Sequence, residues 1–182
     1  MANYKRQFWN WTYVPAERRH GNKVWAAVLI LLIPAYFAVT HFIADAAQVN
    51  DISMLPTLKD GSCFLVNKYI YRVQAPRRGD IIVFFPPRFH PGPYRYVKRI
   101  IGLPNETLAI LNGRITINGI PLDEPYAAGD SGPNYGPITV PENTYFVMGD
   151  NRMESEDSRT FGVVPHARIN GKIKAGRWFT PN

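Results

Sequence analysis

The sequence predicts a mainly β protein, in which a single N-terminal transmembrane helix precedes a domain of short, coiled antiparallel sheets. One observation behind this prediction is an uninterrupted apolar segment of 21 residues near the N-terminus. Another is a series of short runs, all beyond residue 50, that are rich in β-branched and aromatic residues. The third is the frequency of turn formers, with 16 prolines and 14 glycines among 182 residues.

The apolar segment runs from Val24 to Ala44 and contains no Asp, Glu, Lys or Arg. As a helix it would extend roughly 31 Å, which is about the thickness of the hydrocarbon core of a bilayer. Its internal Pro34 is of a kind that membrane helices tolerate. We therefore predict a basic cytoplasmic tail over 1–23, a transmembrane anchor over 24–44 and an extracytoplasmic β domain over 45–182.

The distribution of charge gives the expected orientation. Residues 1–23 hold five Lys or Arg and one Glu, a large share of the net charge of +7. By the positive-inside rule, this flank stays in the cytoplasm and the domain lies outside the plasma or inner membrane. The other basic residues are scattered and form no nucleic-acid motif, so no nucleic-acid partner is expected. A cleavable secretory signal ending near Ala44-Asp45-Ala46 is the alternative interpretation of the segment.

The body of the chain contains no repeat and no sign of a second domain. A hairpin is predicted with Asn112-Gly113 at its turn, followed by a second Asn-Gly pair at 118 and 119. The single Cys63 cannot form an intramolecular disulfide. Other strands are predicted at 63–71, 80–85, 94–101 and 144–149.

Most familiar catalytic patterns are missing from the sequence. The four histidines, at positions 20, 41, 90 and 166, include one in the cytoplasmic tail and one in the predicted span. No Gly-x-Ser-x-Gly elbow, His-Glu-x-x-His helix, cysteine pair or phosphate loop occurs. We therefore expect no Ser-His-Asp triad, no metal site and no cofactor.

A serine can also be activated by a neutral lysine. The ordinary pKa of a lysine is about 10.4, and burial in apolar surroundings lowers it. A lysine base should therefore lie within an apolar strand, as Lys98 does in "YRYVKRII". Strand alternation would place Tyr96, Lys98 and Ile100 on one face. Lys68 in "LVNKYIY" is an equal candidate by composition, and Lys98 as an ordinary edge-strand lysine remains open.

Four sequence motifs, which we call blocks, favour Lys98 over Lys68 because they resemble the motifs of a known protein family. They are "SMLPTL" (53–58), "RRGDIIVF" (77–84), "YVKRIIGLP" (96–104) and "GDNRMESEDSRTFGVVP" (149–165). In this order, behind one apolar segment, they resemble the blocks of type I signal peptidases, and the resemblance covers nearly all of residues 24–180. It implies a membrane-anchored serine endopeptidase that removes signal peptides from exported preproteins after an Ala-x-Ala-type site. Its expected partners are those preproteins and the lipid bilayer, and we expect it to act as a monomer.

The resemblance also assigns roles to individual residues. Ser53 matches the nucleophile, Lys98 the general base, and Ser155 a serine that hydrogen-bonds to the lysine amine and orients it. Two ion pairs beside the site are implied, Asp157 with Arg159 and Asp150 with Arg99. Apolar pockets for the substrate are implied around Val49, Met54, Leu58, Val83, Tyr96 and Val97.

One position departs from the family pattern. Two residues before the nucleophile, where the family usually has a Ser or Gly that contributes to the oxyanion hole, this chain has Asp51. Because a carboxylate would repel an oxyanion, we expect the Asp51 side chain to point away from the site. The alternatives left open are a specialised processing peptidase with the same dyad and a catalytically silent, membrane-anchored binding module. A self-cleaving repressor-type peptidase is disfavoured by the apolar segment and the lack of a DNA-binding motif.

Overall fold

The computed structural model of the chain describes residues 17–38, 44–86 and 94–174. The chain divides into one unit over residues 1–39 and another over 40–182. The first unit contains helix α1 (Glu17–Ala38). Within the described ranges, no helix meets the length and apolarity that a membrane crossing requires. Most of the predicted cytoplasmic tail lies outside these ranges, and Ala44, predicted as the last residue of the span, begins a strand instead.

Every strand pairing in the second unit is antiparallel among the described residues, which confirms the mainly β prediction. The strands are β1 (Ala44–Gln48), β2 (Cys63–Asn67), β3 (Ile81–Phe84), β4 (Tyr96–Gly102), β5 (Thr107–Leu111), β6 (Arg114–Ile117), β7 (Ile120–Pro121), β8 (Tyr135–Thr139), β9 (Thr144–Met148), β10 (Val164–Pro165) and β11 (Ile169–Ile173). Short helices α2 and α3 cover Ile70–Val73 and Ser158–Phe161. A seven-stranded sheet has the order β1-β2-β11-β3-β4-β9-β10, and a four-stranded sheet has the order β7-β6-β5-β8.

The predicted hairpin is confirmed. Strands β5 and β6 pair across the turn Asn112-Gly113, whose residues have φ angles of 49° and 74°. Two consecutive positive φ angles suit a two-residue hairpin turn, and Asn-Gly is the sequence that adopts them most readily. Asn118-Gly119 makes the equivalent turn between β6 and β7, with φ angles of 51° and 81°.

The predicted strand over 63–71 was wrong in its second half. The side chain of Asn67 accepts hydrogen bonds from the amides of Tyr69 and Ile70, both at 3.0 Å. These bonds turn the chain out of the sheet and start helix α2. The apolar residues that suggested a longer strand lie on this short helix instead.

Strands β1, β8 and β11 are among those that were not predicted from the sequence. Strand β1 is alanine-rich and lacks β-branched residues, and β8 lies in a stretch rich in Pro and Gly. Both are edge strands. Pro137 of β8 has no N–H to donate, which an edge strand tolerates because only one of its sides is paired. Strand β11 passes between β2 and β3, where a Cβ at Gly171 would lie 2.6 Å from the carbonyl oxygen of Asn67. Gly171 therefore permits the close contact between β11 and β2, although glycine is uncommon in strands.

Strand β4 is central because it contributes to three apolar clusters. Val97 packs against a cluster that includes Val49 and Met54, Ile100 belongs to a second, and Ile101 to a third. Its neighbours in the sheet are β3 and β9. The polar side chains of Lys98 and Arg99 on this strand are buried among these clusters and removed from water.

Adjacent residues of β5 provide a test of this packing. Ile110 is fully buried, whereas 52% of Leu111 is exposed. We expect Ile110→Ala to lower the free energy of unfolding by about 2–5 kcal/mol, since it opens a cavity in the core. Leu111→Ala should change it by less than about 0.5 kcal/mol. Urea denaturation of both variants measures this, and equal losses would contradict the assigned register.

Candidate active site

Ser53 and Lys98 meet inside the domain. Lys98 lies on β4 opposite Ile82 of β3, and Ser53 lies in the turn that follows β1. The amine Nζ and the hydroxyl Oγ are 2.6 Å apart, although the residues are separated by 45 positions. Only 3% of Lys98 and 2% of Ser53 are exposed. The other candidate lysine, Lys68, instead lies 3.7 Å from the carboxylate of Asp45.

Burial lowers the pKa of the Lys98 amine below its ordinary value of 10.5. The carboxylates of Asp51, Asp157 and Glu156 act in the opposite direction, and the Arg159 guanidinium adds to the lowering. The net direction is downward because loss of hydration outweighs the attraction of these carboxylates. The amine is thus shifted toward the neutral form, which can accept a proton.

The expectation that Asp51 points away from the site was wrong. Its Oδ1 accepts a hydrogen bond from the amide of Ser53 at 3.3 Å, and its Oδ2 lies 3.9 Å from Nζ of Lys98. An amide hydrogen and an amine that can carry charge both attract a carboxylate, so the side chain turns inward when no oxyanion is present. Its outer part remains in solvent, with 58% of the side chain exposed.

The predicted hydrogen bond between Ser155 and Lys98 is also absent among the described contacts. Ser155 Oγ donates to Oδ2 of Asp157 at 2.8 Å and accepts from the amide of Gly149 at 3.1 Å. A carboxylate is a stronger acceptor than a neutral amine, so the hydroxyl hydrogen is directed to Asp157. Ser155 therefore supports the loop beside the lysine and does not touch the amine.

Both implied ion pairs form. Asp157 receives two hydrogen bonds from the Arg159 guanidinium, each at 2.8 Å, and its carboxylate also caps the N-terminus of α3. Arg99 donates to the two carboxylate oxygens of Asp150 at 2.8 and 2.6 Å. Arg99 also lies 3.9 Å from the ring centroid of Tyr126. Because Arg99 follows Lys98 on β4, this pair fixes the strand beside the amine.

The sequence analysis missed the contacts that hold the turn that carries Ser53. The backbone N–H of Asn151 donates to the carbonyl oxygen of Ser53 at 3.0 Å, and its side-chain Nδ2 donates to the carbonyl oxygen of Ile52 at 3.2 Å. A Cβ at Gly149 would lie 2.5 Å from the same Ser53 oxygen, so glycine permits this approach. The signal was present, because Gly149 and Asn151 both lie in the fourth block, but a block match does not show which partner a residue contacts.

A second missed feature is a buried ion pair behind that loop. Arg152 donates to both carboxylate oxygens of Glu124 at 2.9 and 2.6 Å, and to the carbonyl oxygen of Gly149 at 3.1 Å. It also contacts the hydroxyl of Ser131. Only 2% of Arg152 is exposed. Its partner lies 28 positions away, so no local pattern indicates the pairing.

A cleft of about 460 Å³ is lined in part by Lys98. Segments 46–51 and 94–98 line it, and because three strands separate β1 from β4 in the sheet order, the sheet must coil to bring them together. Of the six predicted pocket residues, Val49, Val83, Tyr96 and Val97 line this cleft. Met54 and Leu58 do not. Both are buried in the apolar cluster that also contains Val49 and Val83, so their part in substrate binding stays a prediction.

Two acidic residues test the ion-pair geometry. Asp150 is fully buried against Arg99, whereas Asp45 pairs with Arg95 at 2.6 Å on the surface. We expect Asp150→Asn to lower the free energy of unfolding by about 3–5 kcal/mol, because a buried guanidinium loses its counter-charge. Asp45→Asn should cost at most about 1 kcal/mol. Thermal or urea unfolding compares them, and a similar small loss in both would refute the assigned role of Asp150.

Comparison with protein-family models, curated proteins and solved structures identifies the family of this chain. The family model described as signal peptidase, peptidase S26 matches residues 22–178. A signal peptidase I of Leptolyngbya laminosa is 40% identical over 148 residues, covering 77% of this chain and 71% of that protein. One of Bacillus amyloliquefaciens is 37% identical over 161 residues, covering 82% of each. The crystal structure of a signal peptidase I from Enterococcus faecalis V583 shares 37% identity at a TM-score of 0.50, over 56% of this chain and 99% of that one. The chain therefore belongs to the peptidase S26 family of signal peptidases.

Proposed function

We propose that this protein removes signal peptides from exported preproteins after an Ala-x-Ala-type site, with Ser53 as nucleophile and Lys98 as general base. Family membership supports the coarser function, signal-peptide removal by a serine protease. The observation that carries the finer assignment is the distance of 2.6 Å between a buried amine and a buried hydroxyl. The dyad is formed within one chain, which supports action as a monomer.

The proposed reaction has two halves. Neutral Lys98 takes the proton of the Ser53 hydroxyl as Oγ attacks the scissile carbonyl carbon. The tetrahedral intermediate collapses, the lysine ammonium gives its proton to the leaving amine, and the mature protein departs. The signal peptide then remains as an ester on Ser53. A water that gives its proton to the same amine attacks the carbonyl carbon of this ester. As the bond to Ser53 Oγ breaks, the ammonium returns that proton to Oγ, and the signal peptide leaves with a free carboxyl group.

The cleft supports binding of an extended substrate. Exposed backbone of the β1 edge lies along one side and segment 94–98 along the other, so a peptide could enter as an added strand. Strand alternation would direct every second side chain toward Val49, Val83 and Val97. Shallow apolar contacts of this kind suit the small residues at positions −3 and −1 of an Ala-x-Ala site.

We further propose that the apolar segment that begins at Val24 anchors the protein in the membrane, with the N-terminus in the cytoplasm and the β domain, which begins with Ala44 of β1, outside. The support is the uncharged apolar segment and the basic residues that precede it. Ser53 follows this segment by nine residues. A signal peptide spans the same bilayer and presents its cleavage site just outside, so such an anchor would keep nucleophile and scissile bond at a similar depth.

Substitution of the dyad tests the assignment directly. Ser53→Ala and Lys98→Met should each abolish cleavage of a preprotein by the full chain in detergent, because one removes the nucleophile and the other the proton acceptor. Lys68→Met is the matched control, since it removes a lysine that pairs with Asp45, and should retain activity. Gel electrophoresis of the products measures this. Cleavage that survives either dyad substitution would exclude the proposed mechanism.

The pH dependence of kcat/KM provides an independent test. Below the pKa of Lys98 the amine is protonated and cannot accept a proton, so kcat/KM should fall about tenfold per pH unit on the acid side. Burial lowers the pKa of this amine below 10.5, so kcat/KM should level off at a lower pH than it would with an ordinary lysine as the base. Initial rates over a pH series measure it. A rate that is still rising at the ordinary lysine value would show that the base is not a desolvated amine.

A further inference from the structure

The carboxylate of Asp51 contacts both members of the proposed dyad. Its Oδ1 accepts from the backbone amide of Ser53 at 3.3 Å, and its Oδ2 lies 3.9 Å from the Lys98 amine. The first distance is long for an N–H···O hydrogen bond, whose usual value is about 2.9–3.0 Å. Of the Asp51 side chain, 58% is exposed, and the residue lines the cleft. The group is therefore held loosely and has room to move.

This arrangement is incompatible with the transition state. A developing oxyanion on the scissile carbonyl is stabilised by hydrogen-bond donors beside the nucleophile, and in the proposed mechanism the backbone amide of Ser53 is such a donor. That amide hydrogen already points at a carboxylate oxygen. Two negatively charged oxygens cannot share one donor favourably, since at such distances they repel each other. The Asp51 carboxylate must leave before the reaction can proceed efficiently.

We propose that Asp51 is a latch on the resting site, which engages the Ser53 amide and faces the Lys98 amine until a substrate strand in the cleft displaces it. This inference rests on the proposed function. Asp51 is a positioning residue here, because it acts through the amide and the amine and takes no part in bond breaking. The latch therefore lowers kcat/KM, because the substrate must displace the carboxylate before the reaction can proceed.

The charged groups around Lys98 single out Asp51 among its neighbours. Three carboxylates and one guanidinium face the amine, and the Tyr96 ring centroid lies 5.7 Å from it. Asp157 is fully buried and bound to Arg159, and Glu156 accepts a hydrogen bond from the Tyr96 hydroxyl at 3.3 Å. Asp51 is the member of this set that also contacts the nucleophile's amide. Its charge favours the ammonium form and thus raises the pKa of Lys98 against the effect of burial.

Two substitutions separate the charge of the latch from its hydrogen bond. Asp51→Asn keeps an acceptor for the Ser53 amide but removes the charge, so the acid limb of kcat/KM should move to lower pH. Asp51→Ala removes both, so the limb should move in the same direction and the plateau of kcat/KM should rise about tenfold or more. That gain is a fraction of the 10²–10³ that one oxyanion donor contributes. Asp60→Asn, an exposed carboxylate of the same loop, is the control and should change neither.

The measurement uses the full chain in detergent with a preprotein that carries an Ala-x-Ala site, and a thermal unfolding midpoint is recorded for each variant. A wild-type protein that does not cleave would refute the proposed function. A wild-type protein that cleaves, with an Asp51→Ala plateau equal to or below it, would refute the latch alone. If Asp51→Ala fails to fold, Asp51→Asn decides the question, because an unmoved acid limb would show that the carboxylate does not act on Lys98.

Discussion

A lysine amine can accept a proton only in its neutral form, and in this protein the surroundings of one lysine favour that form. Lys98 is almost wholly enclosed, and its nearest polar partner is the hydroxyl of Ser53. Loss of hydration lowers its pKa although three carboxylates face it. If the amine were solvated, the same contact would join an ammonium to an alcohol and have no catalytic use. The proposed chemistry therefore depends on the exclusion of water from this point of β4.

The rest of the domain keeps that point fixed. Apolar clusters cover β4 on several sides, and the Arg99–Asp150 pair holds the residue next to the lysine. The loop over 149–152 binds the carbonyl oxygens of Ile52 and Ser53, and is itself held by the Arg152–Glu124 pair. Buried pairs of this kind add little net stability compared with apolar residues. These pairs instead fix the positions of the groups, since they join the turn that carries Ser53 to the strand that carries the Lys98 amine.

Sequence reasoning predicted the hairpins, the strands rich in β-branched residues and the two residues, Ser53 and Lys98, whose side chains lie in contact, because each has a local signal or a family block. It could not choose between Lys98 and Lys68 without the resemblance, since burial depends on which strands lie alongside. The same limit explains its errors. Ser155 can reach either an amine or a carboxylate, and only the folded arrangement of its loop decides which of them it contacts. Strand β1 was missed because its pairing with β2, and not its alanine-rich composition, makes it a strand.

The central claim is most directly tested by titrating the Lys98 amine itself. Lysine labelled with ¹³C at Cε is incorporated into the full chain, the Lys98 signal is assigned by its loss in Lys98→Arg, and its chemical shift is followed with pH by NMR. The account predicts a midpoint below the ordinary lysine value of about 10.4, with a shift of that midpoint when Ser53 is replaced by Ala. A Lys98 signal that titrates like a solvated lysine and ignores the Ser53 substitution would contradict it.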